Sequence, residues 1–207
     1  NERRLQAHDA IHRRLCDGSI DDLLHELRQE RQQASFSHDY QTAKRKYCLV
    51  YESGKLLLDK LDASENPLAF AELCIIVHDA SCVLGRKVDA LWYAKKAHFI
   101  LENLGTWNDP QEQEIIDLRV ESIRSEAVSY HILGLPRYAY DYCEEAEALL
   151  EASDFKDRHD FWKPHLYRDK INILSKTPRF AITEAEGLAG QVEAVCDKDV
   201  PYTEDEK

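Results

Sequence analysis

Along this chain apolar positions recur three and four residues apart and rarely alternate, which is a helical rather than a strand signature. The stretch 116–130 shows it plainly: Ile116, Val120, Ile123, Ala127 and Tyr130 share one stripe and predict a helix with a single wet face. The stretch "PLAFAELCIIVHDASCVLG" from Pro67 is instead apolar almost all round, as expected of a helix flanked on several sides in the middle of a stack. Start and stop signals separate such segments. In "CDGS", Gly18 reads as a helix end and Ser19 as the next N-cap, with Asp22 three residues on as in a capping box. Pro67, Pro110 and Pro178 each fit a first turn, the last behind Thr177 as cap. Helices are predicted over 2–16, 19–34, 39–61, 67–84, 87–104, 110–133, 136–152, 159–175 and 178–196. Their connections are short, so consecutive helices form antiparallel hairpins.

A small-residue pattern links the hairpins. Gly85, Ala90 and Ala97 stand at offsets zero, five and twelve, and Gly134, Ala139 and Ala146 repeat those offsets. His38, Ala43 and Val50 form a weaker copy before them, and Lys176, Ala181 and Leu188 another after. The phrase Pro-Arg-aromatic-Ala also occurs twice, at 136–139 and 178–181. A small residue early in the second helix lets it approach the first, and another seven residues on lies on the same face. In this the segments "LGRKVDALWYAKKA" and "LGLPRYAYDYCEEA" resemble the tetratricopeptide repeat, with its loop glycine and two second-helix alanines. Ile123, Ala127 and Tyr130 likewise match the apolar, small and aromatic positions of that family's first helix.

The resemblance spans residues 19–197 in pattern and is specific in the two central units. Its units are 47, 49 and 42 residues apart rather than ~34, the closing proline is absent, and Cys74 stands where the family has tryptophan. It implies an all-α fold: an α-solenoid of about four antiparallel hairpins over 18–197, an extra capping helix over 1–17, and an acidic tail over 198–207. The stretch "DKDVPYTEDEK" from Asp197, which contains the tail, has no apolar period, and the tail is expected to stay unpacked.

Composition narrows the function classes. A net charge of −12 argues against nucleic acid or an anionic membrane surface as a partner of this chain. The basic spots at Arg3, Arg4, Arg13, Arg14 and Lys44 to Lys46 read as solvated faces. Six dispersed cysteines without a CxxC suggest reduced, buried side chains in a cytoplasmic protein. No apolar run reaches the ~20 residues a membrane helix needs.

Several motifs resemble chemical sites without meeting their requirements. "ESGKLLL" lacks the first glycine of a phosphate loop, with Leu49 in its place, and has Leu56 after Lys55 where Ser or Thr is required. His8, His12 and Cys16, and again Cys74, His78 and Cys82, are spaced four apart. The third member of each ladder lies ~6 Å along the helix from the second and drifts round it, so neither is expected to hold zinc. The paired acids Glu112 and Glu114, and Glu144 and Glu145, do not share a helix face. No cofactor or catalytic set is expected.

The leading expectation is therefore a non-enzymatic protein- or peptide-binding module, a scaffold or adaptor, with homodimerisation also open. The alternative is the sensor or dimerisation part of a larger cytoplasmic regulator whose DNA-binding domain lies outside this chain. By the resemblance, the groove falls on the first helix of each hairpin, at Arg28, Gln32, Ile75, Asp79, Arg124, Val128, His131, Lys163, Leu166 and Lys170. With four lysine or arginine cations and one acid, this set implies a locally positive trough suited to an acidic segment.

Overall fold

The computed structural model describes residues 19–104, 112–153 and 155–176. Seven α-helices account for most of them: α1 (Ile20–Ser35), α2 (Tyr40–Leu58), α3 (Pro67–Val83), α4 (Lys87–Glu102), α5 (Glu112–Ile132), α6 (Pro136–Glu151) and α7 (Lys156–Ser175). No strand occurs among the described residues. The predicted helices over 2–16 and 178–196, the tail, the His8 ladder and the last copy of the small-residue pattern beyond Lys176 lie outside them. Observed boundaries follow the predicted ones closely, with α7 beginning three residues early.

The helix ends show why the punctuation was readable. Ser19 Oγ accepts the Asp22 N–H at 3.1 Å, and Asp39 caps α2 by accepting the N–H groups of Gln41 and Thr42. Pro67 and Pro136 sit in the first turns of α3 and α6. At the two loop glycines the backbone turns left-handed, with φ +73° at Gly85 and +79° at Gly134. Each turn closes the same pair of bonds: Arg86 N–H to Ser81 C=O (2.8 Å) with Gly85 N–H to Cys82 C=O (3.1 Å), then Leu135 to Tyr130 (2.9 Å) with Gly134 to His131 (3.0 Å). These are Schellman motifs, which satisfy the orphan carbonyls ending α3 and α5 and turn the chain into α4 and α6.

Every helix packs against the next, and each odd helix also packs against the following odd helix, α1 on α3, α3 on α5 and α5 on α7. The even helices α2, α4 and α6 make no comparable approach to one another. The chain is thus an all-α stack of hairpins, with the odd helices as a continuous layer and the even helices splayed along its back. Ala90, Ala97, Ala139 and Ala146 are fully buried, as the small-residue pattern requires. The weaker first copy holds in part: Val50 is buried, Ala43 half-buried and His38 exposed. Gly54 of α2 is buried too, and a Cβ built there runs into Val77 Cγ2 of α3. The glycine that looked like part of a phosphate loop is a packing glycine between two hairpins.

α3 is buried on all sides, as its apolar composition implies, and packs against α1, α2, α4 and α5. α5 departs from expectation. It has a second buried face, on which Leu118, Ser122, Ser125 and Ser129 lie away from water. Serines read as wet in a sequence, but their small side chains let α3 and α5 approach, and two of the hydroxyls are partnered: Ser122 Oγ donates to Arg119 C=O (2.8 Å) within α5, and Ser129 Oγ lies 3.1 Å from His78 Nε2 of α3.

Candidate functional site

On the odd-helix layer, charged side chains reach across from one helix to the next. Arg28 of α1 forms a two-armed pair with Glu72 of α3. One turn on, the Arg31 guanidinium lies 3.2 Å from Asp79 of α3 and 3.4 Å from Glu121 of α5, so a single side chain spans three helices. Arg124 of α5 meets Asp169 of α7 at 2.5 Å, and Asp117 of α5 takes both Arg158 (3.1 Å) and the Trp162 indole N–H (2.8 Å) from α7. Cations and acids thus alternate across the layer.

Electrostatics follow from this crowding. Burial alone favours protonated Asp79, but the His78 hydrogen bond and the charges of Arg31, His78 and Arg124 hold its carboxyl below the ordinary range. Burial pushes the Glu121 carboxyl upward, against the pull of Arg31 and Arg124. His165 and His131 are both lowered by desolvation, with Arg124 and Arg168 adding to the effect at His165 and Lys176 at His131. Behind the layer, His78 is almost fully buried; desolvation opposes its protonation, but bonds to Asp79 (3.0 Å) and Cys82 (3.3 Å) hold its pKa above the usual value.

A second buried polar cluster lies between α4 and α5. His98 Nδ1 lies 2.6 Å from Glu126 Oε1, Glu126 is almost wholly buried, and Tyr142 of α6 faces the same carboxylate. That hydrogen bond, helped by the charges of Glu126, Glu145 and Glu102, raises the His98 pKa over the opposing cost of burial.

The expected groove residues divide into three groups. Ile75 and Leu166 are fully buried core residues. Lys170 is a correction of another kind: only 4% exposed, it turns to α6, where its Nζ meets Glu147 (2.6 Å) over the Tyr140 ring. Arg28, Asp79 and Arg124 are on the layer and paired, while Gln32 is exposed and Val128, His131 and Lys163 are half-buried. A positive trough is therefore not what the layer presents, because Arg28, Arg124 and Lys170 each have an acidic partner. The acids that neutralise them, and Arg31, went unread in the sequence.

At the end of the layer where the odd helices begin, a cleft of about 400 Å³ opens between α1, α3 and α5. Asp21, Glu65, Glu72 and Glu114 line it, with Arg28 as its one arginine or lysine. Among the described residues no group of three His, Cys, Asp or Glu side chains could hold a metal ion. Cys48, Cys74, Cys82 and Cys143 are free, and burial pushes the thiols of Cys74 and Cys143 up to about 12, which leaves them unreactive. No described helix is long and apolar enough to cross a membrane. No protein-family model matches the chain, nor does any curated protein or solved structure.

Proposed function

We propose that this chain is a non-enzymatic, protein-binding helical-repeat module of tetratricopeptide type, acting as a scaffold or adaptor in the cytoplasm. The observation that carries this reading is the continuous odd-helix layer, whose polar side chains belong to four different helices and form one surface. Stacked hairpins of this kind present extended faces that take a peptide or a partner helix. Because the arginines are matched by acids, the layer favours a segment of mixed charge over a purely acidic one; Gln32, Val128, His131 and Lys163 supply contacts beside the ion pairs. Free cysteines suit a reducing compartment, and a net charge of −12 disfavours nucleic acid.

The test is selection of peptides from a random display library on the purified protein, followed by anisotropy measurements with the selected peptides. Substituting Val128→Asp together with Lys163→Glu is expected to weaken them by at least about tenfold, with circular dichroism unchanged. Peptides that bind the variant as tightly as the parent would place recognition elsewhere.

A further inference from the structure

The back of the stack carries a surface that the odd-helix reading does not use. On α4, Ala90, Tyr93, Ala94, Ala97 and Leu101 face the core. At 100° per residue, Val88, Trp92, Lys95 and Phe99 fall within about 60° of one another on the opposite side. There Val88 is 75%, Trp92 54% and Phe99 67% exposed. Together they leave roughly 350 Å² of apolar surface in water, within the size range of a monomer's largest apolar patch, which is often functional.

Two lysines accompany this stripe. Lys95 lies over the Tyr130 ring (5.5 Å) and Lys96 over the rings of Phe70 (4.5 Å) and Trp92 (4.7 Å). Neither lysine has a salt-bridge partner among the described residues, whereas Arg28, Arg31, Arg124 and Lys170 all do. Glu102 is the one acid in line with the stripe, a turn beyond Phe99 at its far end. On a chain of net −12, two cations without a salt-bridge partner among the described residues thus flank an exposed aromatic ridge.

We propose that the outer face of α4 docks an acidic amphipathic helix of another protein. The stripe spans twelve residues, about 16 Å or three turns, which matches one face of a short partner helix. Val88, Trp92 and Phe99 take its apolar residues, and Lys95 and Lys96 take carboxylates on its flanks. A second copy of this chain fits poorly. A two-fold axis through the middle of the stripe brings Lys95 and Lys96 of both copies together, and like charges there oppose closure.

The experiment uses a labelled designed helix with a leucine stripe flanked by glutamates, and its twin with lysines in place of the glutamates. Fluorescence anisotropy against the full chain should give micromolar affinity for the acidic helix and at least about tenfold weaker binding of the basic one. Lys95→Glu with Lys96→Glu should reverse that preference, and Trp92→Ser with Phe99→Ser should abolish binding of both while the circular dichroism spectrum stays native. Equal binding of the two helices, no binding of either, or indifference to the Lys95 and Lys96 changes overturns the proposal. So does a mass by light scattering that doubles in the parent and not in the Trp92→Ser, Phe99→Ser variant, which assigns the stripe to a second copy.

Discussion

Replacing Gly54 by alanine probes the approach of the first hairpin to the second. In an open helix this change stabilises by about 1 kcal/mol, because alanine restricts the unfolded chain and favours the helix. At Gly54 the new methyl runs into Val77 Cγ2, well inside the 3.5–4.0 Å optimum for carbon pairs, and Leu73 Cδ1 at 3.6 Å blocks retreat on another side. Overpacking of this kind costs about 1–3 kcal/mol, so the net effect is a loss of about 0–2 kcal/mol. Val77 is fully buried, and Val77→Ala alone should cost about 1–3 kcal/mol through the methyls it removes. Combining the two changes gives the alanine at 54 the space vacated by the valine branch. The double variant should then be more stable than the sum of the single effects by about 1–2 kcal/mol, read from urea denaturation followed by far-UV circular dichroism. A Gly54→Ala protein that gains the full helix propensity, with zero coupling to position 77, would refute the close packing of α2 on α3.

Three further outcomes follow from the same geometry. Ala139→Leu places extra volume at a fully buried contact of α6 on α5 and should lower the melting temperature by about 3–10 °C; an unchanged value puts Ala139 outside the core. Gly85→Ala meets no atom within 4 Å, so its cost is backbone strain at φ +73°, about 1 kcal/mol, and Gly85→Asn should cost less; equal stability of all three would mean the turn is not left-handed. The folded-state pKa of His98 is raised, chiefly by its bond to Glu126, so its stabilisation is fully present below the unfolded value of about 6.5 and fades as pH rises through the folded value. Thermal melts of the parent and of His98→Gln should therefore converge as pH is raised above about 6.5; a gap that stays constant or widens contradicts the pairing.

The elements most legible in the sequence are those where one residue type answers one local need. Gly85 and Gly134 had to turn left-handed, and Ala90, Ala97, Ala139 and Ala146 had to let helices close on each other, so both left a trace in spacing. The second buried face of α5 left none, since Ser122, Ser125 and Ser129 serve a tight helix contact as well as alanine does while looking polar. Lys170 was misplaced because its Cα position on α7 does not fix where a long side chain turns, and Glu147 with Tyr140 decides that from α6. The charge pairs left a partial trace. Arg28 and Arg124 each stand ten residues before their loop positions, His38 and Gly134, and Glu72 and Glu121 each stand thirteen before Gly85 and Gly134. Cation positions alone imply a positive surface, whereas the acids at neighbouring offsets stitch it into ion pairs.

The continuity of the odd-helix layer is tested most directly by a double-mutant cycle on Arg124 and Asp169, two residues of α5 and α7 whose side chains are 24% and 12% exposed. Arg124→Ala, Asp169→Ala and the double variant, compared by urea denaturation, should give a favourable coupling of about 1–2 kcal/mol. A coupling indistinguishable from zero in variants that keep their full helix content would mean that α5 and α7 do not meet across this face, and that the odd helices do not form one surface.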